Sequence, residues 1–382
     1  MLEVDASMSR ALAVAAGGGG DAVTAAVIAS AMPDLEVSAV LTYSWDRLMI
    51  DPTPGPRSVA DFDGLISLSG SVAEIPATAS LRTGGRSTIP RLAQHLSLPL
   101  LLMDASAGAP GLASQICGAA EVFGADSIVV IDVGGDILAE GHEASLRSPL
   151  ADSLALAAAV MTKLPVRVLV AGIGLDGELT EDELHGCLDR LGGQVVKQLV
   201  PSDVLAYEGI WEWHPSEANA LLAVAAGGWR GQAETQRDAL VRITDDSAAV
   251  YEVSTADLYE SSLASRLSHA PTLAEVEQLL RRDRGYSDID VERRRLRTRP
   301  PTRRPAEDAM DVIDRYAGDA SARGIDALTI RRVAELVHAT DFEATDALRI
   351  SLMRKRSSHF RPPLYLTRPT AGIDRSDGWR GI

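Results

Sequence analysis

Glycine and carboxylate recur together at a few places in this sequence, a combination suited to a phosphate, a cation, or both. The stretch "AVAAGGGGDAV" sets Gly17, Gly18, Gly19 and Gly20 directly before Asp21. "IDVGGD" brackets two glycines with Asp132 and Asp136, "SPLAD" carries Ser148 and Asp152, and "GIGLDGE" carries Asp176 and Glu178. Glycines let a backbone approach a ligand closely, and free amides at a helix start attract an anion. Carboxylates gathered at one rim repel one another unless a cation, a proton or a basic substrate neutralises them. Asp21, Asp132, Asp136, Asp152, Asp176 and Glu178 are therefore candidate ligands of a divalent metal, magnesium or manganese, which prefers oxygen donors. No histidine-cysteine set stands for zinc. The competing expectation is that each is a separate cap or turn residue.

Asp21 sharpens that choice, because an aspartate capping a helix start cancels the partial charge that would draw a phosphate. "GGGGD" also lacks the lysine of a P-loop and the spacing of a dinucleotide fingerprint, so by itself it reads equally as a turn before a capped helix. Proton transfer falls to Asp132, Asp136 and the adjacent pair His142 and Glu143, with an exposed loop histidine as the plain alternative. A second anion loop is "LRTGGRSTIP", where Arg82 and Arg86 flank Gly84 and Gly85. Arg147 and Ser148, with Pro149 in position to open a helix, add a further substrate contact. Arg47 lies in "SWDRLMIDPTPGPR", which reads as a long ordered loop over the same rim, with Trp45 able to stack on a ring or pack in the core.

The elements that must position these residues follow from periodicity. Apolar runs of strand length, "ALAVAA", "LEVSAVLTY", "GLISLSG", "LPLLLMDAS", "SIVVIDV" and "VRVLVAGIG", alternate with helix-period segments. That predicts an α/β fold, a Rossmann-like open and mostly parallel sheet with helices on both faces. In such sheets ligands bind beyond the carboxyl ends of the strands, where the glycines and carboxylates fall. Further on, "LVRITDDSAAVYEVS" predicts a hairpin or strand pair, and only helices are expected from about residue 305. The chain thus divides into a body over 1–270 and an Arg/Pro-rich linker with a helical, basic C-terminal region over 271–382.

The net charge is −16, but residues 291–382 carry 19 basic against 13 acidic side chains. A strongly acidic body argues against nucleic-acid or anionic-membrane partners. The basic stretch "ERRRLRTRPPTRRP" (292–305) contains prolines that interrupt a helix, so it is expected as a linker or arm lying on the acidic body. No apolar stretch is long enough for a membrane span, the N-terminus lacks a signal pattern, and Cys117 and Cys187 sit in helix-like segments as reduced core thiols, all of which points to the cytoplasm. Trp211, Trp213 and Trp229 are expected in packing or in a homo-oligomer contact.

The ordered set "GGGGD", "WDRLMIDPTPGPR", "IDVGGD", "SPLAD" and "GIGLDGELT" resembles the domain of unknown function 1152 family of prokaryotic proteins over roughly residues 10 to 290. The resemblance implies that these segments belong to one rim. The residues themselves favour an enzyme acting on a small phosphorylated or nucleotide-like metabolite with a divalent metal, by hydrolysis, elimination or group transfer. The alternative is a non-catalytic nucleotide-binding or scaffold protein whose basic tail meets a partner.

Overall fold

The computed structural model describes residues 10–370 and Trp379. At its centre are five parallel strands, β1 (Ala11–Ala15), β2 (Val37–Thr42), β3 (Leu100–Leu102), β4 (Ser127–Val133) and β5 (Val166–Ala171), in the spatial order β3-β2-β1-β4-β5. The chain winds outward from β1 to β3, then returns to the other side of β1, which is the doubly wound arrangement with its switch point between β1 and β4. Antiparallel strands extend the sheet to nine: Ala249–Val253 and Gln194–Gln198 beyond β5, Val72–Glu74 and Ile66–Ser69 beyond β3.

The strand sequences explain why the sheet is covered on both faces. Along β1, Ala11, Ala13 and Ala15 enter one apolar core while Leu12 and Val14 enter the other. Val129 and Ile131 of β4 join the first, Ile128 and Val130 the second. One core is closed by α1 (Asp21–Ala31) and the other by α2 (Gly108–Phe123) and α3 (Leu150–Met161). Small alanines on α1 and α3 let these helices sit close to the strands, so residues at the strand ends are drawn together. The expected Rossmann-like sheet is therefore present. "GLISLSG" differs from the other quoted strands in forming an antiparallel edge strand rather than part of the parallel core.

The C-terminal part departs from an all-helical expectation. The helix α4 (Glu217–Ala226) leads into the strands Gly231–Thr235 and Ala239–Ile243, which share a five-stranded sheet with Ala327–Thr329, Leu364–Leu366 and Phe360–Arg361. Strands of two or three residues show no readable alternation, which is why the sequence hides them. The strand pair expected in "LVRITDDSAAVYEVS" is also corrected: Ala239–Ile243 pairs with Gly231–Thr235, and Ala249–Val253 pairs with β5 in the other sheet. Residues 231–243 thus join the region beyond 305 across the boundary drawn at residue 270.

The linker expected over 292–305 is half helix. After α5 (Leu273–Arg284), Ser287 and Asp290 form a capping box that starts α6 (Asp288–Thr298), and Pro300 and Pro301 follow its end. The basic segment lies on the body: Trp45 Nε1 donates to Glu292 Oε2 at 3.1 Å, the Gly55 amide donates to the same oxygen at 2.8 Å, and Arg299 donates to the Leu48 carbonyl at 2.9 Å. The helix α7 (Ile330–Leu336) follows the strand Ala327–Thr329. Among the described residues no helix is long and apolar enough to cross a membrane, and Cys117 and Cys187 are both free thiols.

Candidate functional site

The carboxyl ends of β1, β4 and β5 open into a cleft of about 190 Å³. The glycine run forms its floor beside β1. Asp21 is the first residue of α1 and does not cap it in the usual sense: its side chain turns back, Oδ2 accepting the Gly17 amide at 2.9 Å and Oδ1 accepting Asn219 Nδ2 at 2.9 Å. The loop is therefore folded onto its own aspartate. A Cβ on Gly17 would stand 2.5 Å from Asp21 Oδ2 and 3.3 Å from Asp152 Oδ1, so glycine is required here by close approach.

Asp132 is the last residue but one of β4 and Asp152 lies in the first turn of α3, where both meet Asp21. Oxygens of the three lie within 4.8 Å of one another, and all three residues are buried. One Asp132 oxygen accepts the Gly135 amide at 2.9 Å, whereas Asp152 Oδ1 is buried with no hydrogen-bond partner. Asp176, after β5, holds the Glu178 amide at 3.0 Å through Oδ1 and leaves Oδ2 buried and unpartnered. Burial pushes Asp21 up to about 7, with Asp132 adding repulsion and the Asn219 bond opposing. Asp132, Asp136, Asp152 and Asp176 are likewise held above the usual carboxylate range, first by burial and, for Asp136, Asp152 and Asp176, next by one another's or Glu178's charge. Without a cation, these groups keep protons that an exposed aspartate would release.

Glu178 lines the cleft but is fully engaged: it accepts the amides of Arg147 at 2.7 Å and Ser148 at 3.0 Å, and the Ser148 hydroxyl. It is a clamp between β5 and the start of α3 rather than a free ligand. Basic residues line the same cleft. Arg47 and Arg147 reach it as the sequence anticipates, and Arg237, Arg295 and Arg331 join them from the second sheet's turn, from α6 and from α7.

Other expected residues lie elsewhere. His142 does not line the cleft: its side chain is 76% exposed and 3.6 Å from Glu140. Glu143 spends its two oxygens on the Glu140 and Gly141 amides, at 2.7 and 2.9 Å. Arg82 pairs with Asp63 at 2.9 Å, and Arg86 pairs with Glu343 at 2.9 Å while lying over the Phe342 ring. Gly84 and Gly85 stand in the same surface loop, where the Gly84 carbonyl accepts from Arg57 at 2.9 Å. Trp211, Trp213 and Trp229 are buried core residues.

The histidine at the cleft is His214, which no local motif marks. Its Nδ1 accepts the Ser216 amide at 3.2 Å, so Nε2 bears the proton, and Nε2 is buried without an acceptor. Burial, reinforced by Arg349, Arg47 and Arg91, holds this imidazole down at about 3. An unfolded chain takes up the proton below about 6.5 and the folded one does not. His214 thus stabilises the fold fully above pH 6.5 and loses that contribution as pH falls toward 3, by about 2 kcal/mol between pH 7 and pH 5. Urea denaturation at those two pH values, compared with His214→Gln, should show the wild type losing that much more. Equal losses would mean that the imidazole takes up a proton in the folded state.

A family model for the protein of unknown function DUF1152 matches residues 12–296, which span the loops after β1, β4 and β5 and reach into α6. No curated protein and no solved structure matches the chain. With more than half its length matched, this chain belongs to the DUF1152 family.

Proposed function

We propose that this protein is a metal-assisted enzyme acting on a small phosphorylated or nucleotide-like metabolite bound at the switch point of its large sheet. The observation that carries this reading is the convergence of Asp21, Asp132 and Asp152, with the buried Asp152 Oδ1 left without any partner. Burying several carboxylates is costly unless a cation compensates, and an all-oxygen set suits magnesium or manganese. The metal would supply Lewis-acid polarisation of a substrate oxygen. The chain supplies the rest. Asp176, whose Oδ2 is buried without a partner and whose carboxyl keeps its proton, can donate that proton to a substrate oxygen, and His214 Nε2 is a second buried donor for one. The glycine loop admits the substrate backbone-close, and the arginines of the same cleft supply charge for its anionic end.

Calorimetric titration of chelator-treated protein with Mn²⁺ is the direct test. Wild type should bind one ion saturably, Asp132→Asn should lose that binding, and Glu178→Gln should retain it because the glutamate's oxygens are already engaged. No saturable heat in the wild type would reduce the glycine loop to a turn and end the metal reading. Loss of Mn²⁺-dependent turnover of phosphorylated substrates in a folded Asp132→Asn protein would mark an enzyme, whereas ligand binding with no turnover in the wild type would mark the scaffold alternative.

A further inference from the structure

We propose that the basic lining of the cleft is a receptor for a diphosphate group, assembled from Arg47, Arg237, Arg295 and Arg331 in the same cleft as the carboxylates. The proposal deepens the functional reading above, because it takes the floor to be the cation's side of the same ligand.

The four arginines come from separate places in the chain: the loop after β2, the turn joining Gly231–Thr235 to Ala239–Ile243, the helix α6 and the helix α7. The guanidiniums of Arg47, Arg237 and Arg295 make no hydrogen bond or salt bridge with any described residue. Arg331 is buried; it pairs with Glu217 Oε2 at 2.9 Å and donates to Gln236, yet its Nε has no acceptor. Arginines gathered in one cleft repel one another, and burial together with repulsion from Arg47 and Arg237 holds Arg295 and Arg331 down at about 10. Such a gathering is stable only because packing imposes it, and it favours whatever anion relieves it.

Its imposition is visible in the backbone. Arg237 has φ +66° and Asp238 φ +56°, both in the left-handed region that side-chain-bearing residues avoid. The Arg237 amide is held by Glu335 Oε2 at 2.9 Å and the Gln236 amide by Glu217 Oε1 at 3.1 Å, so the turn is fixed from two sides with Arg237 at the cleft.

The charge count selects the ligand class. Arg147 spends its guanidinium on the Gly177 carbonyl at 3.0 Å, which leaves Arg47, Arg237 and Arg295 with neither hydrogen bond nor ion pair, and three such cations match the three negative charges of a diphosphate monoester better than the two of a phosphate monoester. Planar guanidinium forks bind phosphate oxygens in pairs, and their distribution over separate elements suits a group with two phosphorus centres. With the carboxylates lining the same cleft, a diphosphate placed here can meet both the cation and the arginines.

Calorimetry with inorganic pyrophosphate, orthophosphate and citrate on the purified full chain tests this, with and without Mn²⁺. Pyrophosphate is expected to bind at least about tenfold more tightly than either other anion, and the double variant Arg237→Gln, Arg295→Gln to lose about 100-fold of that affinity. The variant removes no hydrogen bond to a described residue, so its melting temperature should stay level or rise, and its Mn²⁺ affinity without anion should not fall. Unchanged pyrophosphate affinity in the variant overturns the receptor, and equal affinity for orthophosphate or citrate overturns the diphosphate class. Pyrophosphate binding that persists in chelator, in a protein that binds no Mn²⁺, upholds the arginine receptor and rejects only the metal reading.

Discussion

Replacing Asp152 by asparagine is expected to weaken Mn²⁺ binding by more than about 100-fold while making the metal-free protein more stable. Substitutions of residues that only orient a metal ligand already cost about 10- to 100-fold in affinity, and Asp152 offers an oxygen within 4.8 Å of both Asp21 and Asp132. The stability change follows from linkage. Burial, then Asp132 and Asp21, hold the folded-state carboxyl well above its ordinary value. A raised carboxyl costs nothing below the unfolded pKa near 4 and costs progressively more as pH rises toward the folded value. The asparagine variant should therefore match wild type near pH 4 and exceed it by about 1 kcal/mol or more at pH 8 in chelator. Denaturant melts at both pH values, paired with metal titrations, read the two effects separately. A variant that still binds Mn²⁺ normally, or that is less stable than wild type at pH 8, would show Asp152 to be an ordinary first-turn residue of α3.

Gly134→Ala is expected to destabilise the protein by roughly 3 kcal/mol or more and to displace Asp176 from the cleft. Gly134 has φ +124°, and its backbone links the ends of β4 and β5: its amide donates to the Ala171 carbonyl at 3.0 Å and its carbonyl accepts the Gly174 amide at 2.7 Å. A Cβ there would stand 2.4 Å from Asp176 Oδ2 and 2.5 Å from Cγ. Asp176 has little room to retreat, since Oδ1 already holds the Glu178 amide. Gly192→Ala is the control. That residue also has a positive φ, +64°, but its Cβ would meet nothing within 4 Å, so only about 1 kcal/mol of backbone cost remains. Equal losses for the two variants in urea denaturation would mean that Asp176 moves aside freely, and that the close approach does not fix it.

The strand-end segments were legible because their information is local. Runs such as "SIVVIDV" announce doubly covered strands, and in a parallel sheet every such strand delivers its next few residues to one rim. That logic brought Gly17, Asp21, Asp132, Asp152 and Asp176 together from sequence alone, and the structure draws them into one cleft. It failed for "LRTGGRSTIP" and for His142 because attractive spacing says nothing of facing: Arg86 found Glu343 and Phe342, 257 residues away in the case of the glutamate, and His142 stayed exposed.

By itself the sequence determined an open, mostly parallel sheet and the glycine and carboxylate segments at its strand ends, since each strand and the loop that follows it is a run only a few residues long. Tertiary structure alone decided which residues join Arg47 and Arg147 on the basic side of the cleft. Arg237, Arg295, Arg331 and His214 carry no shared pattern and are spread over more than a hundred positions. They meet because the three-residue strand Ala327–Thr329 pairs with Gly231–Thr235 and α6 docks on Trp45 and Gly55. Pairing of that kind is set by packing and by backbone hydrogen bonds, which leave almost no trace in the order of the residues.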